Sequence, residues 1–228
     1  YICIAVGKRG FGVVINYAEE RTILSYYPEM ICTFPDDPDL VSDWVYLTTA
    51  GENYEEFYRQ AVEWAGKKGV RVAFNPGSRQ LRHGLVGIGF VVEKTEVMFV
   101  NREEAAQLLG LTVDKDIKEL MAGLRSYGVK VAVITDGPKG TYLYDGSKYW
   151  HMPIVDAPVV ERTGAGDAFG SGFLAAIMKG KSYEEALRWG TVNSASVLGY
   201  IGPQAGLLSQ RQMDEWLEKS KGVRPSEI

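Results

Sequence analysis

Residues 161–170 read ERTGAGDAFG, a polar stretch that passes through two glycines into an apolar run over 168–178. Because that run is apolar on all sides, it predicts a buried helix that begins near Asp167. The first N–H groups of a helix lack intrahelical partners, and a glycine-rich entry allows them to converge on an anion. The stretch therefore predicts an anion site beside a carboxylate that can orient an attacking hydroxyl. The alternative is an ordinary tight turn with Asp167 as a first-turn acid.

On both sides of this stretch, short apolar segments alternate with helical patterns from residue 44 onward. The alternation predicts an α/β fold with a mostly parallel central sheet and helices on both faces. Ligands of such sheets bind at the carboxyl ends of the strands. The predicted strands are 44–47, 70–74, 97–100 and 129–135, with a hairpin around 145–146, and the predicted helices are 54–68, 81–92, 102–109, 114–127, 167–179, 183–198 and 210–219.

The first thirty residues differ from the rest, because β-branched and aromatic runs at 13–17 and 22–26 flank a charged turn and predict a hairpin. The apolar run at 1–6 also resembles a strand. The chain therefore divides into a small β element over 1–33, an α/β core over 34–221 and a loose tail over 222–228.

Composition excludes several classes of protein. The chain has 228 residues, 46% of them apolar, and a net charge of −4, which provides no general field for a nucleic acid. Its cysteines and histidines, Cys3, Cys32, His83 and His151, lack the short spacings of a structural zinc site. No apolar stretch is long enough to span a membrane. These features predict a cytoplasmic protein that binds neither nucleic acid nor membrane.

Two further motifs follow predicted strands. Asn101 and Glu104 open a helix, where they form either a capping box or an oxygen pair that holds water around Mg²⁺. The stretch 135–140, TDGPKG, supplies glycines that allow close approach of a nucleotide, although Asp-Gly-Pro is equally typical of a hairpin turn.

In this order, the motifs resemble those of the ribokinase-like, or pfkB, carbohydrate kinases, over nearly the whole chain. The resemblance implies a three-layer α/β/α fold with a partial β-sheet lid and an ATP-dependent, Mg²⁺-dependent kinase acting on a sugar or nucleoside hydroxyl. The matching pieces are Asn101-x-x-Glu104, Thr135-x-Gly137-x-x-Gly140, residues 163–169, residues 193–196 and residues 202–206.

The resemblance also implies residue roles. Asp167 is expected to be the base toward the acceptor hydroxyl, and Asn101 and Glu104 the Mg²⁺ pair. The N–H groups expected to form the anion hole belong to Gly164, Ala165 and Gly166. The residues expected to line the nucleotide are Thr135, Gly137 and Gly140 at its phosphates and ribose, and Thr191 and Asn193 near its adenine.

Family members often bind a monovalent cation such as K⁺ behind the anion hole, and by position Glu161 and Thr163 correspond to that site. The alternative for Glu161 is a solvated ion pair with Arg162. Thr49 and Asn75, at the ends of core strands, are weaker candidates for substrate contact. Core packing and a turn explain them about as well.

The resemblance implies a preceding strand and a Gly-Gly-Asn segment that hold much of the sugar, and this sequence has no counterpart of them. Two alternatives therefore stay open: a non-catalytic nucleotide-binding or assembly module, and a kinase of the hydroxymethylpyrimidine or pyridoxal type. Lid strands of relatives often mediate dimers, so a homodimer through the lid is also expected.

Overall fold

The computed structural model describes residues 11–17, 20–26, 32–35, 37 and 39–228. Within this part the strands are β1 Phe11–Tyr17, β2 Glu20–Tyr26, β3 Trp44–Leu47, β4 Arg71–Phe74, β5 Val97–Asn101, β6 Val131–Thr135, β7 Thr141–Tyr144, β8 Tyr149–Met152 and β9 Ser226–Glu227. The α-helices are α1 Tyr54–Lys68, α2 Ser78–Val92, α3 Arg102–Leu109, α4 Ile117–Ser126, α5 Ala165–Met178, α6 Tyr183–Leu198 and α7 Gln210–Lys219.

The central sheet has seven strands in the order β3-β4-β5-β6-β7-β8-β9. Strands β3 to β6 are parallel, and the pairings from β6 to β9 are antiparallel. Helical crossovers make neighbouring strands parallel, whereas the short turns before β7 and β8 force antiparallel pairing. The sheet is thus mixed, half parallel and half antiparallel, where the sequence predicted a mostly parallel one.

The sheet separates two helical layers, as the α/β/α prediction requires. On β5 the side chains alternate, with Met98 facing the layer of α1 to α4 and Phe99 facing α5 to α7. Both residues are almost fully buried, as expected of a central strand covered on both faces. Each face of the sheet therefore has its own apolar core, and α5, which carries Asp167, lies on one of them.

Helix α5 is anchored mainly by α6. A Cβ at Gly172 of α5 would approach the backbone of Trp189 and Gly190 on α6 at 3.0–3.3 Å, so a larger residue would force the two helices apart by a few tenths of an ångström. A Cβ at Gly190 would in turn lie 2.8 Å from the ring of Phe169. The small residues thus fix the position of α5, and with it the start of the helix, against α6.

The predicted hairpin in the first thirty residues is confirmed, since β1 and β2 pair antiparallel as a separate two-stranded sheet. Its expected roles as lid and dimer contact stay predictions, as does the division at residue 33. The predicted strand at 1–6 lies outside the described residues.

The expectation of a loose tail over 222–228 is wrong. Residues 226 and 227 form β9, in which Ser226 pairs with His151 and Glu227 with Trp150 of β8. The N–H of Ile228 donates to the carbonyl of Tyr149 at 3.0 Å. The segment is thus the outer strand of the central sheet, held by backbone bonds.

None of the helices in the described ranges is long and apolar enough to cross a membrane.

Candidate active site

Four of the predicted site residues lie at, or just after, the carboxyl ends of neighbouring parallel strands, which meet at one edge of the sheet. Asn101 ends β5 and Thr135 ends β6, and the two residues are direct partners in the strand register. Asn75 follows β4, and its N–H donates to the carbonyl of Leu47 on β3 at 2.9 Å. Thr49 comes two residues after β3. The parallel half of the sheet therefore brings residues that are far apart in sequence to one edge.

Asp167 lies in the first turn of α5 and is exposed. The helix begins at Ala165, after Gly164 in the left-handed conformation with φ 82°. The N–H of Ala165 donates to the Arg162 carbonyl at 3.4 Å, so this donor is already weakly engaged. By helix geometry the other first-turn N–H groups, those of Gly166 and Asp167, lack an intrahelical acceptor. The predicted helix start is thus confirmed, and it directs unpaired donors and a carboxylate to the same place.

The segment after α6 supports the loop before α5. The N–H of Gly202 donates to Oε2 of Glu161 at 2.7 Å, and the N–H of Val160 donates to the Leu198 carbonyl at 2.7 Å. Pro203 packs against Gly164 so closely that a Cβ at residue 164 would overlap it. The structure therefore joins two segments that the sequence marked separately, 163–169 and 202–206.

Asn101 and Glu104 form a complete capping box. The Asn101 side chain accepts from the Glu104 N–H at 2.8 Å, and Oε2 of Glu104 accepts from the Asn101 N–H at 2.9 Å. Burial raises the pKa of Glu104, while the Asn101 N–H lowers it and the charges of Glu103 and Asp167 raise it further. The prediction that this pair forms a capping box is thus confirmed.

The oxygens of Asn101 and Glu104 fit Mg²⁺, which usually keeps several waters and takes one or two carboxylates plus substrate phosphates. Among the described residues, no group of three or more His, Cys, Asp or Glu side chains could enclose a metal. The donor set therefore fits an ion shared with a bound phosphate and does not fit a site built from protein ligands alone.

The stretch 135–140 is the connection between β6 and β7. The N–H of Asp136 donates to the Gly140 carbonyl at 2.8 Å, and residues 137–139 form one turn of 3₁₀-helix. Gly140, at φ 90°, lies against the backbone of Met152, which leaves no room for a side chain. The hairpin alternative is therefore confirmed, and contact of Thr135, Gly137 and Gly140 with a nucleotide stays a prediction.

One ion pair at this edge was missed by the sequence reasoning. Nε of Arg102 lies 2.7 Å from Oδ2 of Asp136, and the two side chains are only 14% and 12% exposed. The Arg102 guanidinium also donates to the carbonyls of Val113 and Lys115. The signal in the sequence was an arginine and an aspartate placed one residue after two neighbouring strands. The pair ties the start of α3 to the 135–140 connection, and a cavity of about 630 Å³ borders both residues.

Thr191 and Asn193, predicted to lie near the adenine, are buried on α6. The Asn193 amide donates to the Ala168 carbonyl at 2.7 Å and accepts from the Leu208 N–H at 3.0 Å. Its side chain therefore ties α5 and the segment before α7 to α6. In the described chain, the Thr191 hydroxyl oxygen is buried without a hydrogen-bond partner.

Contacts within the protein also involve the two weaker candidates for substrate contact, Thr49 and Asn75. The Thr49 hydroxyl lies against Gly77, where a Cβ would overlap it. The Asn75 side chain lies close enough to the Tyr46 hydroxyl to lower its pKa, although burial and the Asp167 charge raise that pKa on balance. Tyr46, on β3, was not among the predicted site residues.

Comparison with known families and structures agrees with this geometry. A model of the pfkB family carbohydrate kinases matches residues 10–210. A nucleoside kinase of Burkholderia thailandensis in complex with inosine has a TM-score of 0.75 at 20% identity, over 95% of this chain and 70% of that one. An E. coli protein assigned as a ribokinase II, in complex with ATP and Mg²⁺, has a TM-score of 0.69 at 20% identity, over 78% and 59% of the two chains. These likenesses confirm the predicted fold.

Among curated proteins, the cytidine kinase of Thermococcus kodakarensis is 37% identical over 136 residues, which are 58% of this chain and 47% of that protein. The chain spans about half the length of the curated relatives it matches.

Proposed function

We propose an activity from one premise, that the chain belongs to the pfkB family of carbohydrate kinases. The protein transfers the γ-phosphoryl group of ATP to a hydroxyl of a sugar or nucleoside. The observation that carries this proposal is the placement of Asp167 in the first turn of α5, beside two glycines, on a helix that packs at Gly170 against the hydroxyl of Tyr46 in β3.

Asp167 accepts the proton of the acceptor hydroxyl and orients its oxygen toward the phosphorus. The transition state of phosphoryl transfer is loose, so orientation of the nucleophile matters more than early removal of its proton. Exposure of the carboxylate in the described chain supports this role, since the acceptor must reach it.

The N–H groups of residues 164–166 stabilise the charge that develops on the transferred group. Donors fixed by the fold need no reorganisation when charge appears, which is why they are effective. The contacts of Glu161 with Gly202 and of Gly164 with Pro203 support such fixation. The weak bond from Ala165 to Arg162 means that this donor must exchange its partner for the phosphoryl oxygen.

Asn101 and Glu104 are the residues that would hold Mg²⁺. When bound, the ion would neutralise charge on the phosphate oxygens. Thr135, Gly137 and Gly140 line the nucleotide, while Thr191 and Asn193 support its adenine end from behind. The adjacent register of Asn101 and Thr135 supports a shared nucleotide site.

Glu161 and Thr163 are the candidate residues for a monovalent cation behind the anion hole. The Glu161 carboxylate accepts from the Gly202 N–H, which holds it beside the loop before α5, and its negative charge would favour a cation there. The acceptor is proposed as a sugar or nucleoside, because relatives include a cytidine kinase, a nucleoside kinase and a ribokinase.

The test is ADP release from MgATP by the full-length protein with a panel of nucleosides, pentoses and hexoses, run in potassium and in sodium buffer. We expect turnover with at least one member of the panel and faster turnover in potassium. Tight MgATP binding without turnover on any acceptor would instead support the non-catalytic alternative. Equal rates in the two buffers would exclude the cation site.

Replacement of Glu104 by Gln tests the metal assignment. The amide oxygen of Gln still accepts from the Asn101 N–H, so the capping box and the fold are retained. Loss of the carboxylate charge is expected to raise the Mg²⁺ concentration for half-maximal rate by about 10- to 100-fold. Mg²⁺ titrations of the initial rate measure this.

The neighbouring substitution Glu103→Gln is the matched control, since Glu103 is an exposed first-turn carboxylate of the same helix. It is expected to leave the Mg²⁺ dependence unchanged. Equal effects of the two substitutions would show that general negative charge, and no specific ligand, holds the ion.

A further inference from the structure

Tyr46 has a hydroxyl that the packing of the protein does not explain. The residue lies on β3 and faces the layer of α5, where its ring packs edge-on against Phe99 with centroids 5.9 Å apart. Its oxygen reaches Gly170, where an added Cβ would lie only 2.5 Å away. Gly170 is one helical turn after Asp167. The absence of a side chain at residue 170 thus makes room for a hydroxyl directly beneath the turn that carries the proposed base.

This hydroxyl is buried and, among the residues that the structure describes, it has no hydrogen-bond partner of ordinary geometry. A buried polar group without a partner costs free energy, whereas phenylalanine would keep the same ring packing without that cost. The polar groups that act on the hydroxyl are the Asn75 side chain, after β4, and the Asp167 carboxylate, on α5. The hydroxyl therefore lies next to the groups of the candidate active site, without a hydrogen bond of ordinary geometry to either of them.

The protonation state of Tyr46 makes it a donor. Burial, and then the negative charge of Asp167, raise the pKa of Tyr46 far above its usual value. The phenol is consequently neutral at any pH at which the protein works. A neutral hydroxyl beside a carboxylate donates its proton to a hydrogen bond and leaves the carboxylate to accept.

We infer that the Tyr46 hydroxyl is a positioning group for Asp167. In the assembled active site it donates a hydrogen bond toward the carboxylate, directly or through one ordered water, and so limits the orientations that Asp167 adopts toward the acceptor. This inference rests on the proposed kinase function. Asp167 contacts the acceptor, while Tyr46 acts through Asp167.

The substitution Tyr46→Phe in the full-length protein tests the inference by kinetics. We expect kcat to fall by about tenfold with little change in KM for ATP, because misplacement of the reacting groups slows only the chemical step. In an Asp167→Asn background the same substitution should change kcat by less than about twofold, because Tyr46 acts through the carboxylate. An equal loss of kcat in the two backgrounds would overturn the inference.

Tyr183→Phe is the matched control. Tyr183 packs against Phe173 in the same layer, with ring centroids 6.5 Å apart, but it begins α6 and lies beyond the end of α5 opposite to Asp167. Loss of this hydroxyl should leave kcat unchanged. If both substitutions lowered kcat equally, the effect would belong to the layer as a whole, and the positioning role would be excluded.

A second measurement does not depend on kinase activity. 3-Fluorotyrosine placed at position 46 should give a ¹⁹F resonance whose chemical shift differs between the parent protein and the Asp167→Asn variant. Such a difference in a protein without turnover would support the contact even where the kinase function fails. Identical chemical shifts in the two proteins would overturn the contact itself.

Discussion

The Asp167→Asn variant is expected to lose about 10²- to 10⁴-fold in kcat, the usual contribution of a positioned acid or base. Asparagine has nearly the same size, but its amide cannot accept the proton of the acceptor hydroxyl. Nucleotide affinity should change by less than about threefold, because the proposed nucleotide contacts lie at the ends of β5 and β6. Steady-state kinetics and calorimetric titration with a non-hydrolysable ATP analogue measure the two quantities.

Asp214→Asn provides the control for this experiment, since Asp214 is an exposed carboxylate on α7. Its loss should leave both kcat and affinity unchanged. An Asp167→Asn variant that kept its rate would refute the assignment of the base, whereas parallel losses of rate and affinity would indicate a damaged nucleotide site.

Gly164→Ala is expected to combine the largest loss of stability with a loss of activity. At φ 82° an alanine costs about 1–2 kcal/mol. Its Cβ would also lie 2.7 Å from Cα of Pro203, a backbone atom that cannot simply rotate away. Overpacking of this kind costs about 1–3 kcal/mol. We therefore expect the free energy of unfolding to fall by about 2–4 kcal/mol, and kcat to fall because the loop that presents the N–H groups shifts.

Gly166→Ala, two residues later, separates the two effects. A Cβ at residue 166 meets no atom within 4 Å, and alanine is favoured over glycine inside a helix by up to about 1 kcal/mol. This variant should therefore be slightly more stable than the parent, yet slower, because its methyl group occupies space proposed for the phosphoryl group. Urea unfolding and kinetics on both variants test this. A Gly166→Ala protein with full activity would contradict the location of the anion hole.

Much of the fold follows from local patterns in the sequence. Helices α1, α3, α6 and α7 begin and end at the predicted residues, because glycines in the left-handed conformation end α1 and α3 and serine N-caps begin α6 and α7. Strand β9 was missed because its two residues are exposed and its pairing with β8 uses only the backbone. A strand of that kind leaves no pattern of apolar residues.

The candidate site likewise has parts that could be predicted from the sequence and parts that could not. The start of α5 and the cap at Asn101 could be predicted, since both depend on residues within one turn. The pair Arg102–Asp136 depends on the register of two strands 34 residues apart, and the position of Tyr46 over Gly170 depends on a contact between a strand and a helix far along the chain. Such contacts are set by the tertiary structure and have no local signal.

The capping box at Asn101 and Glu104 has a consequence for metal recognition. Both side chains are already held in single orientations by backbone N–H groups, so an arriving ion would not need to freeze two mobile side chains. Preorganisation of this kind lowers the entropic cost of binding. Folding of α3 also does not depend on the metal, because the hydrogen bonds that begin this helix are complete within the chain itself. On the proposed function, the ion could therefore be exchanged together with each nucleotide without loosening the helix that would hold it.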